Sequence, residues 1–73
     1  MEKVYIKTSY IELDKFLKLV TAVPSGGAVK ELLNQEKIIR NGQIETAKRR
    51  KLQNGDIIEI VDEGKWQVIA KVE

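Results

Sequence analysis

Ser25-Gly26-Gly27-Ala28-Val29-Lys30, then Asn41-Gly42, then Lys48-Arg49-Arg50-Lys51-Leu52, then Gly55-Asp56 is the stretch whose reading decides the fold. It sets out, in order, a glycine-opened helix start, a tight hairpin turn and a basic run closed by a second turn. Ser25 is a natural N-cap, because its hydroxyl can accept from an early free N–H of the helix. Asn-Gly tolerates the two positive φ angles of a type I′ turn. Ile38-Ile39-Arg40 and Gln43-Ile44-Glu45 therefore read as the two arms of a β-hairpin. A helix start can hold an anion, and the basic run supplies charge. The three signals together describe a small rigid surface for a polyphosphate chain, and RNA is the expected chain.

Upstream, Leu13, Phe16, Leu17 and Val20 follow the i, i+3, i+4, i+7 spacing of one helix face. They predict a helix from about Leu13 to Thr21, with Glu12 and Asp14 at the end where a helix dipole favours acids. Ala22-Val23-Pro24 ends it, since a proline disfavours helical geometry in the residue before it. The second helix runs from about Gly26 to Gln35, with Val29, Leu32 and Leu33 on its apolar side. A link this short predicts that the two helices pack as a hairpin. Val4 to Thr8 reads as a first strand. Downstream, Leu52 to Asp56 is a turn, Ile57 to Val61 a strand, Asp62 to Lys65 a turn, and Trp66 to Val72 a last strand. The expected order is β-α-α-β-β-β-β, an α+β fold with a helical hairpin packed on a small, mostly antiparallel β-sheet.

A chain of 73 residues argues for one domain spanning 1–73. It has neither cysteine nor histidine, so thiolate metal sites, disulfides and the commonest general base are excluded. No apolar run approaches the ~20 residues that span a bilayer, and the N-terminus shows no signal pattern, so a cytoplasmic location is the default. Net charge is +2, unevenly placed: residues 1–29 carry +1, residues 30–51 carry +4 and residues 52–73 carry −3. Local potential of this kind, more than the total, drives encounter with a polyanion.

The set Ile11-x-Leu13-x-x-Phe16-Leu17-Lys18, Ser25-Gly26-Gly27-x-x-Lys30, Asn41-Gly42 and Lys51-Leu52-x-x-Gly55-Asp56 resembles the S4-like RNA-binding domain, or αL motif. The match runs from about Tyr10 to Gln67 and is most like the stand-alone, YaaA-type members. The resemblance implies RNA binding without catalysis, with structured ribosomal RNA as partner and a role in ribosome assembly or quality control. Two departures stand out. The family has glycine between the second helix and the first hairpin strand, where Glu36-Lys37 stand here, so another turn geometry is expected at some cost. The family's Arg-Arg-Gly-basic-Lys run is Ala47-Lys48-Arg49-Arg50-Lys51 here. Basic charge is kept while the glycine becomes Arg49.

Each candidate residue has a plain structural reading beside the functional one. Gly26 and Gly27 can expose backbone amides to a phosphate or can simply allow close helix packing. Lys48, Arg49, Arg50 and Lys51 can flank the same groove or form a solvated loop balanced by the acidic C-terminal third. Ser25 and Lys30 are expected to receive phosphate at the same helix start, and Lys18 and Arg40 to extend the patch. Arg40 can reach RNA or Glu45. Lys15 reads as solvent decoration, Phe16 as core and Trp66 as a cover for the core. With rings scarce and on buried-looking positions, recognition of RNA shape over base identity is expected. Asp56 reads as bonding local backbone, and Asp62-Glu63 as an exposed tip, so no catalytic residue, metal or cofactor is expected. The partner is RNA, with no membrane and no small-molecule substrate, and the protein is expected to be monomeric alone. The competing expectation is a protein adaptor that uses the last strand as an open edge, or its acidic C-terminal surface.

Overall fold

The apolar stripe produces the first helix as expected. Helix α1 spans Leu13–Val20, with Leu13, Phe16 and Leu17 fully buried and Val20 half-buried. Helix α2 spans Gly26–Asn34, is capped by Ser25 and buries Val29 and Leu33. These positions belong to the computed structural model, which describes residues 1–20, 23 and 25–70. The predicted break at Ala22 and Pro24, the helix end at Thr21 and the strand end at Lys71-Val72 lie outside the described residues.

Among the described residues seven strands accompany the helices: β1 Glu2–Ile6, β2 Tyr10–Glu12, β3 Ile38–Arg40, β4 Gln43–Ile44, β5 Lys51–Gln53, β6 Ile57–Ile60 and β7 Gly64–Ala70. Five form one sheet in the order β1-β7-β6-β3-β4, and β2 pairs with β5 in a separate two-stranded sheet. Every pairing is antiparallel except β1 with β7. Alternation of side chains along a strand puts Trp66, Val68 and Ala70 of β7 and Ile58 and Ile60 of β6 on the inner face. They meet Ile38, Leu52 and the buried faces of both helices in one core. Each such fully buried side chain contributes ~1.5–3 kcal/mol, and in a domain this small few can be lost.

Four differences from expectation shape the surroundings of the basic run and the sheet edge. Lys51-Leu52-Gln53 is a strand, not the start of a turn, because it pairs with Tyr10-Ile11-Glu12 through the register Glu12 to Lys51. Three residues are too few to show a period, so only the distant partner defines them. The first strand is Glu2–Ile6 rather than residues 4–8, since it is aligned by its parallel register with β7. The last strand is not an open edge. Between β1 and β6 its backbone is paired on both sides, which removes the adaptor reading built on it.

The fourth difference concerns the exit from α2. Glu36 takes the left-handed conformation itself, with φ 57°. The Lys37 N–H donates to the Leu32 carbonyl at 3.0 Å and the Glu36 N–H to the Leu33 carbonyl at 3.0 Å, the paired bonds of a Schellman motif. The glycine geometry is thus kept without glycine. A left-handed non-glycine residue costs ~1–2 kcal/mol, partly offset because glycine is freer in the unfolded chain. Glu36→Gly is expected to stabilise the protein by about 0.5–1 kcal/mol, read as a raised urea midpoint at constant slope.

Asn41 and Gly42 have φ 51° and 85°, the two positive angles expected of the type I′ turn. That turn is tied to the second one. Asn41 Nδ2 donates to Asp56 Oδ1 at 3.1 Å, and Asn41 Oδ1 accepts from the Ile57 N–H at 2.8 Å. Asp56 Oδ2 accepts from the Gln53 N–H at 2.8 Å, the local backbone role read from its turn position.

Candidate nucleic-acid interface

The basic run is a built turn rather than a loose loop. The Arg50 N–H donates to the Ala47 carbonyl at 3.2 Å, closing a turn whose central residues are Lys48 and Arg49. Arg49 stands where the family has glycine, yet it takes no positive φ. The turn is fastened to the start of α1. The Leu13 N–H donates to the Arg50 carbonyl at 2.8 Å and the Asp14 N–H to the Lys48 carbonyl at 3.1 Å. Two of the amides that a helix start leaves without intrahelical partners are thereby satisfied, and the turn gains a fixed seat.

Glu45 holds the other side. Its side chain is 3% exposed. Oε2 accepts from the Thr46 and Ala47 N–H groups, both at 2.9 Å. Oε1 accepts from Arg40 Nε at 2.8 Å and from Arg50 Nε at 2.9 Å. Burial pushes this carboxyl upward. The Ala47 N–H, the Arg50 and Arg40 guanidiniums and the Thr46 N–H together outweigh it and bring the pKa from 4.5 down to about 2. The two guanidiniums use only their Nε groups here, so their outer nitrogens stay available to a phosphate. The sequence pointed to Glu45 only as a possible partner for Arg40. An acid between two basic segments is a weak signal, because nothing local says that both arginines and two amides will converge on it.

The helix start and the turn lie side by side. The Lys48 ammonium sits directly over Gly26, with Nζ 2.7 Å from where a Cβ on that glycine would stand. Ser25 Oγ accepts from the Ala28 N–H at 3.4 Å, as an N-cap should. The Gly26 and Gly27 N–H groups donate to no acceptor among the described residues. The first turn of α2 carries no acid. A cation is therefore held at the positive end of a helix dipole, an arrangement that costs ~0.3–1 kcal/mol until an anion joins it.

The remaining candidates lie on the turn, on both helices and on β5. Arg49 is exposed on the turn, and Lys30 and Lys18 are exposed on α2 and in the last turn of α1. None of the three forms an ion pair among the described residues. Lys51 is exposed on β5, with Nζ 5.0 Å from the centre of the Tyr10 ring. Lys15 is paired with Glu12 at 3.5 Å. Phe16 and Trp66 are core, as read, but Tyr5 and Tyr10 are exposed, so the expectation that the rings are mostly buried fails for the tyrosines. Their neighbours in sequence alternate too briefly to show which face is covered. Among the described residues no cluster of three acids is close enough to hold a metal, and no helix is long and apolar enough to cross a membrane.

The two helices, the sheet and the turn that joins them are the parts of a known module. The S4 domain family matches residues 4–69, nearly the whole chain, and the protein belongs to that family of RNA-binding domains. It is also similar to the probable ribosome maturation protein RlbA of Bacillus subtilis (strain 168). The two are 38% identical over 64 residues, which cover 88% of this chain and 90% of that protein.

Proposed function

We propose that this protein is a non-catalytic RNA-binding protein that docks on structured ribosomal RNA during ribosome maturation. One observation carries the reading: the Lys48 ammonium rests on Gly26 at the start of a helix whose first amides have no acceptor among the described residues. A phosphate placed there takes backbone N–H bonds and a cation at once, and turns an unfavourable cation–dipole contact into a favourable one. Ser25, Gly26, Gly27 and Lys48 form the centre of the site. Arg49, Arg50, Lys51 and Arg40 flank it, and Lys30 and Lys18 widen it. The name of the Bacillus relative supports the ribosomal setting.

Salt dependence tests the reading. Each neutralised phosphate contributes a slope of about −0.7 to −0.9 in log K against log salt, so roughly four to six contacts give about −3 to −5. Binding of ribosomal RNA fragments, measured by anisotropy across a salt series, should show that slope. Crosslinking in cells followed by sequencing should recover ribosomal RNA, and recovery of no RNA above background removes the proposal.

Gly26→Ala separates the site from the fold. The new methyl meets only the far end of a flexible lysine, so Lys48 moves and the backbone stays. Alanine favours the helix by up to ~1 kcal/mol. Stability is expected to hold or rise, while RNA affinity falls about 3- to 10-fold, part of the worth of one charged hydrogen bond.

A further inference from the structure

Along β2 and the start of α1 lies a hollow of about 400 Å³, lined by Thr8, Tyr10, Ile11, Glu12 and Lys15. Its size falls at the small end of ligand-binding pockets. Tyr10 is 43% exposed, on the short strand that pairs with the end of the basic run. Lys51 lies over this ring at 5.0 Å and is not part of the hollow's lining. Thr8 Oγ1 donates to the Tyr10 carbonyl at 2.6 Å and holds the strand's start. Also in the lining, Lys15 Nζ lies 3.5 Å from Glu12 Oε1.

We infer that this hollow receives one unpaired guanine of the bound RNA, stacked on Tyr10 with its pairing edge read by the Glu12–Lys15 pair. The inference rests on the RNA-binding reading above and adds base recognition to it. Tyrosine offers a flat face on which any base can stack, next to lysines that can hold the flanking phosphates. The edge groups supply the choice. A guanine presents one acceptor, O6, beside two donors, N1–H and N2–H. A lysine donor beside a carboxylate acceptor is the complement of that pattern. Adenine presents a donor and an acceptor in the opposite order, which sets its amino group against the ammonium. Uracil supplies only one donor for the carboxylate.

The test compares a fully paired RNA stem with the same stem carrying one bulged guanosine or one bulged adenosine. The unaltered protein should bind the guanosine bulge about 5- to 100-fold more tightly than the paired stem, the range of a single base stack. Tyr10→Ala should lose that advantage and keep its affinity for the paired stem. Tyr10→Phe, which keeps the ring, should retain it. Glu12→Gln should erase the preference for guanosine over adenosine. Equal affinity of the unaltered protein for bulged and paired stems overturns the inference, as does an equal loss on both in Tyr10→Ala. Either result leaves the phosphate site standing. Failure of the unaltered protein to bind any of the stems overturns the RNA-binding reading and this inference with it.

Discussion

Glu45→Ala is expected to lose about 2–4 kcal/mol of stability, a large part of the total for a chain this size. The buried carboxylate is the single acceptor for the Thr46 and Ala47 amides and for the Nε groups of Arg40 and Arg50. Truncation strands two amides and leaves two guanidiniums facing each other without a counter-charge. Partial exposure of the arginines lets water reclaim some of that loss, which is why the figure lies below the sum of four charged hydrogen bonds. A urea midpoint shifted by that amount, at unchanged slope, checks it.

The same carboxyl makes stability depend on acid. Its pKa is lowered in the fold from 4.5 to about 2, so the folded protein binds its proton less readily than the unfolded chain does. The resulting stabilisation is fully present above pH 4.5 and is lost as pH falls towards 2, by about 3 kcal/mol. Glu45→Gln removes the titrating group, so its stability should be flatter between those limits. An acid slope in Glu45→Gln as steep as in the unaltered protein contradicts this account. Because the turn that carries Lys48 hangs on the same carboxylate, RNA affinity should weaken alongside stability.

The second large effect runs the other way, with binding lost and stability kept. Lys48→Glu combined with Arg49→Glu should reduce RNA affinity by about 100-fold or more and flatten the salt slope by about 2. The seat of the turn uses the carbonyls of Lys48 and Arg50, which these substitutions leave in place. A glutamate beside Gly26 also meets the positive end of α2 and favours the helix by ~0.3–1 kcal/mol. Melting temperature should therefore be maintained while binding disappears. Full RNA affinity in the double variant would place the interface elsewhere.

Much of the fold was legible because it is written in neighbouring residues. The stripe Leu13, Phe16, Leu17 marks one face of α1, since a helix period of 3.6 brings those positions together. Ser25 caps α2 because a hydroxyl there reaches an amide three residues on. Asn41-Gly42 takes two positive φ angles because these residue types tolerate them. What was missed needs partners far along the chain. Lys51–Gln53 is a strand only because Tyr10–Glu12 lies beside it, and β7 is interior only because Glu2–Ile6 closes over it.

The candidate site divides in the same way. Its residue types, namely the glycines behind Ser25, the cations from Lys48 to Lys51 and Arg40 by the hairpin turn, could be read from the chain alone. Their arrangement could not. The seating of Lys48 on Gly26, the convergence of two arginines and two amides on Glu45, and the exposure of Tyr10 beside Lys51 arise only once the chain has closed. Backbone preferences act over a few residues and leave a mark in the sequence. A contact between distant residues is rewarded only after the entropy of bringing them together has been met, so its partners carry no local sign of each other.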